Sequence, residues 1–194
     1  MNAPLVDVDG GTSYFGKTLS YWLNAAALVA VCGSLVEALF WQFFYNELPC
    51  PLCQLQRIAL TMAGIGMMLN VRFGPSATHY AIILASAIAG ATASLRQVLL
   101  HIAPNDPGYG SELLGLHFYT WGFLSFLIMM LFCTAMLCID RNRLNQSRKA
   151  RSGLISTILI SLFFSLAAIN TLSAVAVCGL GACPDNPTQY LWQK

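Results

Sequence analysis

Four of the seven cysteines in this 194-residue chain stand in close pairs. Cys50 and Cys53 form a Cys-x-x-Cys within Leu48-Pro49-Cys50-Pro51-Leu52-Cys53, and Cys178 and Cys183 flank a stretch containing Gly179, Gly181 and Ala182. Pro51 suits the first position of a helix, which puts Cys50 near its N-cap. The positive end of the helix dipole favours thiolate there, and a dithiol so placed is competent for disulfide exchange. Arg57 follows four residues after Cys53, one turn deeper on the same helix face. A cation inside an apolar run is costly and points to function. Its guanidinium could bind the carbonyl oxygen of a ring ligand seated beside Cys53. The competing reading is an ion pair, with Glu37 the acid at similar depth and Arg96 a second candidate partner for it.

These residues must be positioned by membrane helices. The chain is 57% hydrophobic and only 9% charged, too little charge to cover a soluble surface. About 20 mostly apolar residues span a hydrocarbon core of about 30 Å. Five runs qualify: Leu19 to Tyr45, Gln54 to Val71, Tyr80 to Ile102, His117 to Ile139 and Leu154 to Val177. None alternates in the manner of a barrel strand. Residues Met1 to Thr18 carry Asp7 and Asp9 rather than a basic region before a short apolar core, so the first run is expected to be a retained helix. With no Pro/Ser/Gly-rich linker, residues 1–194 read as a single membrane domain. The small residues of the third run, Ala85 to Ser94, permit close helix approach and predict a central position for it.

Lys and Arg gather on the cytoplasmic side of a membrane protein. A cytoplasmic N-terminus puts Lys17, Arg72, Arg141, Arg143, Arg148, Lys149 and Arg151 inside and only Lys194 outside. Both cysteine pairs then face the outer compartment, where disulfides persist. The tail's Tyr190-Leu191-Trp192 suits the headgroup level on that side. Cys32, Cys133 and Cys138 lie within spans and read as buried packing residues. Three readings of the four outer cysteines stand at this point: a redox relay, two inert structural disulfides, or a four-thiolate metal site.

The stretch from Glu37 to Arg57, an aromatic-rich helix running into Pro-Cys-x-x-Cys with Arg four residues on, resembles the DsbB family of disulfide bond formation proteins. So do the short turn after the second span and the apolar third span ending near Pro104. The similarity covers roughly Leu19 to Ile139. It implies an all-α integral membrane protein of the bacterial inner membrane, a DsbB-like four-helix bundle to which this chain adds a fifth transmembrane helix. It also implies a thiol:disulfide oxidoreductase that reoxidises a periplasmic thioredoxin-fold partner of the DsbA type and passes the electrons to ubiquinone or menaquinone. Cys53 is then expected to contact the quinone, Cys50 to be its disulfide partner, and Arg57 to hold the quinone ring.

The family usually carries its second cysteine pair between the third and fourth spans. Here that loop, Ala103 to Leu116, has no cysteine, and Cys178 and Cys183 follow the fifth span instead. A relay role for the tail pair therefore rests on its placement on the outer side with the C-terminus, not on the resemblance. The rival functions are an enzyme similar to the vitamin K epoxide reductases, running electrons in reverse, and a metal-handling membrane protein using four thiols. No nucleic-acid partner is expected.

Overall fold

The computed structural model describes residues 10–144, 153–179, 181, 183–184 and 187–193. The side chains of Lys17 and Trp192, together with Asp7, Asp9, Arg148, Lys149, Arg151 and Lys194, on which parts of the sequence reading rest, lie outside it. Helix α1 runs over Gly10–Phe44, α2 over Pro51–Phe73, α3 over Ala77–Leu100, α4 over Phe118–Ile139 and α5 over Leu154–Cys178. A two-stranded hairpin, β1 (Glu112–Leu113) and β2 (Leu116–His117), precedes α4, and one-turn 3-10 helices occupy Arg141–Arg143 and Leu191–Gln193. All five helices are long and apolar enough to cross a membrane. Large apolar side chains face outward on them, among them Leu131, Leu154 and Leu172. The chain is an all-α, multi-pass membrane protein.

The second span is longer than its apolar core suggested, starting at Pro51 and ending at Phe73. Both ends have local causes. Cys50 adopts an extended conformation and its Sγ accepts the N–H of Cys53. At the far end Gly74, at φ 86°, donates its N–H to Asn70 O, a positive φ that favours glycine. The added residues are Pro51, Leu52 and Cys53 at one end and Arg72 and Phe73 at the other.

Helices α1 to α4 form the bundle. The most extensive packing is of α3 against α2 and against α4, whereas α1 and α4 touch little. The small residues of α3 permit the close approach expected of them: the Phe126 ring of α4 lies over Gly90, where any Cβ would overlap it. Helix α2 packs on α1, α3 and α5. Its Gly64 makes room for the buried Phe163 of α5.

A buried polar cluster fastens the end of the bundle opposite the paired cysteines. Asp140 Oδ2 accepts from Ser20 Oγ and from Tyr80 OH, each at 2.7 Å. Asn24 donates to Tyr80 OH at 3.2 Å and accepts from Asn70 Nδ2 at 2.9 Å. Groups from α1, α2 and α3 thereby converge on the residue that caps α4. In hydrocarbon such groups must be satisfied within the protein, which draws the four helices together.

The Gly90–Phe126 contact leaves no slack, since Phe126 is fully buried. Gly90→Ala is expected to lower stability by about 1–3 kcal/mol through overpacking. Gly33→Ala, with nothing within 4 Å of the added carbon, is expected to keep or slightly raise it. Thermal melts of the detergent-solubilised protein check both.

Candidate redox site

The chain leaves α1 through Asn46, at φ 55°, and crosses the end of the bundle as Glu47-Leu48-Pro49 before Cys50 opens α2. Cys50 and Cys53 are disulfide-bonded, with Cα atoms 5.0 Å apart. Their surroundings differ. Cys50 is buried at 5% exposure, whereas Cys53 is half-buried and lines a cavity of about 180 Å³. That cavity sits where α1 and α4 barely meet. Trp41, Phe118, Trp121 and Phe126 contribute aromatic walls, and Gln56, Arg57 and Gln97 bring polar groups to it.

Arg57 is buried one turn below Cys53, as the spacing predicted, but its partners are not acids. Its Nη1 donates to Gln42 Oε1 at 2.7 Å and its Nη2 to Ala38 O at 2.8 Å, both on α1. Glu37 and Arg96 are exposed, and among the described residues no ion pair involves them or Arg57. The expected Glu37 pairing is thus replaced by neutral acceptors. The reason is rotational: Gln42 and Ala38 occupy the α1 face turned to α2, and Glu37 does not. A guanidinium has more N–H donors than these two acceptors use, so Arg57 retains capacity for a ligand in the cavity.

Two glutamines that the sequence reading passed over complete the site. Gln97 of α3 is 2% exposed. Its Nε2 lies 3.5 Å from Cys50 Sγ and 3.6 Å from Cys53 Sγ. Its Oε1 accepts from Gln56 Nε2 at 2.9 Å. Gln42 is fully buried and shared, for its Oε1 also accepts from Ser173 Oγ of α5 at 2.7 Å. The only hint in the sequence was an amide residue inside an apolar run, which gives no partner.

The cysteine-free loop between α3 and α4 is latched over the segment that leads into Cys50. Tyr109 OH donates to Leu48 O at 2.6 Å, and Ser111 bonds through both its N–H and its hydroxyl to the Glu47 carboxylate. Burial pushes the Tyr109 phenol up from its ordinary range, keeping it a donor. Leu114 and Gly115, both at positive φ, turn the β1–β2 hairpin, and Trp121 Nε1 donates to Leu113 O at 2.9 Å. Asp106 is held below the usual carboxylate range by the Gly108 N–H and by His101.

Cys178 ends α5 and is disulfide-bonded to Cys183. Both members of the pair are half-buried. The tail folds back, so that Leu191 lies against Gly179 and Tyr190 OH accepts from Gln42 Nε2 at 3.4 Å. Cys32 and Cys133 are buried and Cys138 is exposed, all three as free thiols within helices.

Residues 20–110 match the family described as disulfide bond formation protein DsbB. A disulfide bond formation protein B from Chromobacterium violaceum is 36% identical over 104 residues, covering 50% of this chain and 63% of the relative. The family match takes in Cys50, Cys53, Arg57 and Gln97 and stops before α4, α5 and the tail. No solved structure matches the chain.

Replacing Gln42 tests the rewired partnership of Arg57. Gln42→Leu orphans Arg57 Nη1 and Ser173 Oγ and is expected to cost about 1–3 kcal/mol. Glu37→Gln and Arg96→Gln, at exposed positions, are expected to stay within about 0.5 kcal/mol. Equal losses in all three, measured by thermal melting in detergent, would restore the ion-pair view.

Proposed function

We propose that this chain, whose residues 20–110 match the DsbB family, is a quinone-dependent thiol:disulfide oxidoreductase. It would reoxidise a periplasmic thioredoxin-fold partner of the DsbA type. The observation that carries this reading is a disulfide capping a membrane helix, with Cys53 in the wall of an aromatic cavity and Arg57 one turn deeper. An aromatic slot with a few polar groups suits a flat ring bearing edge carbonyls. A bound ubiquinone or menaquinone would supply the two-electron acceptor, with Arg57 donating to a ring oxygen.

On this reading the partner's thiolate attacks the Cys178–Cys183 disulfide, and its second thiol then releases the oxidised partner. The tail dithiol next reduces Cys50–Cys53 through a mixed disulfide. Two electrons leave by way of Cys53 as the Cys50–Cys53 bond re-forms, and two protons accompany them to the acceptor. The orientation that serves this sequence is an inner-membrane one, with a cytoplasmic N-terminus and a periplasmic C-terminus. It is supported by the seven-to-one distribution of Lys and Arg. The metal-handling alternative is weakened because the four cysteines it needs stand as two disulfides.

Membranes containing the protein, supplied with a reduced thioredoxin-fold dithiol, are expected to reduce added quinone. Arg57→Ala should raise the apparent quinone KM roughly ten- to hundredfold, because a hydrogen bond to a charged group contributes about 1.5–3 kcal/mol. Arg57→Lys should recover little, lacking the planar fork. Absence of quinone reduction by the unaltered protein would overturn the proposal.

The tail is tested by trapping. Cys178→Ser is expected to accumulate a mixed disulfide between Cys183 and the partner, and Cys183→Ser is not. Should both variants turn over at the full rate, the tail pair is off the electron path and the partner reduces Cys50–Cys53 directly.

A further inference from the structure

The group that touches both sulfurs of the Cys50–Cys53 disulfide is neither Arg57 nor a charged residue. It is the side-chain amide of Gln97, with Nε2 at 3.5 and 3.6 Å from them. Arg57 points its Nη1 and Nη2 the other way, into α1. The orientation of the amide is set from outside. Gln56 Nε2 donates to Gln97 Oε1 at 2.9 Å, which turns the NH₂ of Gln97 toward the sulfurs. Gln56 in turn lies against Gly122 of α4, where an added Cβ would sit 3.0 Å from its Oε1.

A glutamine buried to this degree in a membrane helix is costly unless its polar atoms find partners. The carbonyl oxygen of Gln97 is well satisfied. Its NH₂ group is not, because the sulfur of a disulfide is a weak acceptor. That imbalance disappears when the disulfide opens. An incoming thiolate forms a new S–S bond with Cys50 Sγ, the Cys50–Cys53 bond breaks, and its electron pair leaves on Cys53 Sγ as a thiolate. The N–H donor already in place then meets a full negative charge. Hydrogen bonds to ionised groups are roughly twice as strong as neutral ones, and a donor aimed in advance at the site of developing charge favours the charged state.

We propose that Gln97 is a catalytic residue of this site, the preorganised donor that stabilises the Cys53 thiolate released when the Cys50–Cys53 disulfide is opened. The role rests on the oxidoreductase reading above. The other charged or titratable groups lining the cavity with Cys53 are Glu37 of α1, Glu47 and Tyr109 of the outer loops, Arg57 of α2 and Tyr119 of α4. Two of these are acids that oppose a thiolate, so a neutral donor on the sulfur itself has a distinct part to play.

The test needs neither quinone nor partner. In full-length protein carrying Cys50→Ser, Cys53 is a free thiol and serine keeps the helix cap. Its alkylation is followed by peptide mass spectrometry, which separates it from Cys32, Cys133 and Cys138. Gln97→Leu is expected to slow Cys53 alkylation at pH 7 about tenfold, the equivalent of about one pH unit in thiolate fraction. The rates should converge with the parent where the thiol is fully ionised. Gln97→Glu keeps the length but removes the donor and should slow the pH 7 rate at least as much. Gln56→Leu, which only frees the amide to turn, should slow it less. If Gln97→Leu does not fold, the isosteric Gln97→Glu and the indirect Gln56→Leu decide by the same readout. Unchanged pH 7 rates in the folded variants would overturn the proposal while leaving quinone coupling untouched. Loss of quinone reduction by the unaltered protein would instead remove the coupling and leave the donor in place.

Discussion

The N–H of Cys53 donating to Cys50 Sγ at 3.1 Å is a small interaction on which the placement of every other site group depends. It makes a sulfur the cap of α2, so the helix begins between the two cysteines and not before or after them. Pro51 occupies the first position, where a missing N–H is harmless. Once the start is set, helical geometry carries Arg57 one turn further in and turns Gln56 toward α3 and α4. The orphan N–H groups and the dipole at that terminus act on the same pair of sulfurs. A start displaced by one residue would rotate Arg57 away from Gln42 by about a quarter turn, since a helix has 3.6 residues per turn.

The bilayer supplies the second constraint. Polar atoms inside hydrocarbon are satisfied by other helices or not at all, so each buried polar residue here reports a helix pairing. Asp140, Tyr80, Asn24 and Asn70 draw α1 to α4 together at one end. Gln42, Arg57 and Ser173 join α1, α2 and α5 nearer the other. Between these ties the interfaces are made by small residues and aromatic rings, with Gly90 under Phe126 and Gly64 under Phe163. The cavity lies along the seam between α1 and α4, which pack little on each other apart from the Ser20–Asp140 bond at the far end and the Trp41–Phe118 ring contact near the cavity.

What the sequence made legible was local or compositional. The five spans follow from apolar length, the cap from Pro51 beside Cys50, and the depth of Arg57 from its spacing. The partner of Arg57 was not legible, because Glu37, Ala38 and Gln42 all lie within reach of one face or its neighbour. Only the rotation of α1 about its axis, set by contacts scattered along its length, selects among them. Electrostatics suggested the acid, and packing delivered an amide and a backbone carbonyl. Gln97 escaped for a related reason. It sits next to Arg96, and one helix step turns the charged side chain outward and the amide onto the sulfurs. Nor did the tail's sequence show that Tyr190 would return to Gln42 and Leu191 to Gly179.

The fifth helix is more than an appendage to a four-helix core. Phe163 occupies the space a side chain at position 64 would need, and Ser173 shares the acceptor that steadies Arg57. Taking α5 away would leave a groove at Gly64 filled by lipid tails and a hydroxyl's worth of bonding lost from Gln42 in the least forgiving solvent. Position 64, position 42 and the fifth span therefore form one interdependent unit. A helix swapped in from a four-span protein would have to bring its own filler for the groove, and that filler would collide with Phe163.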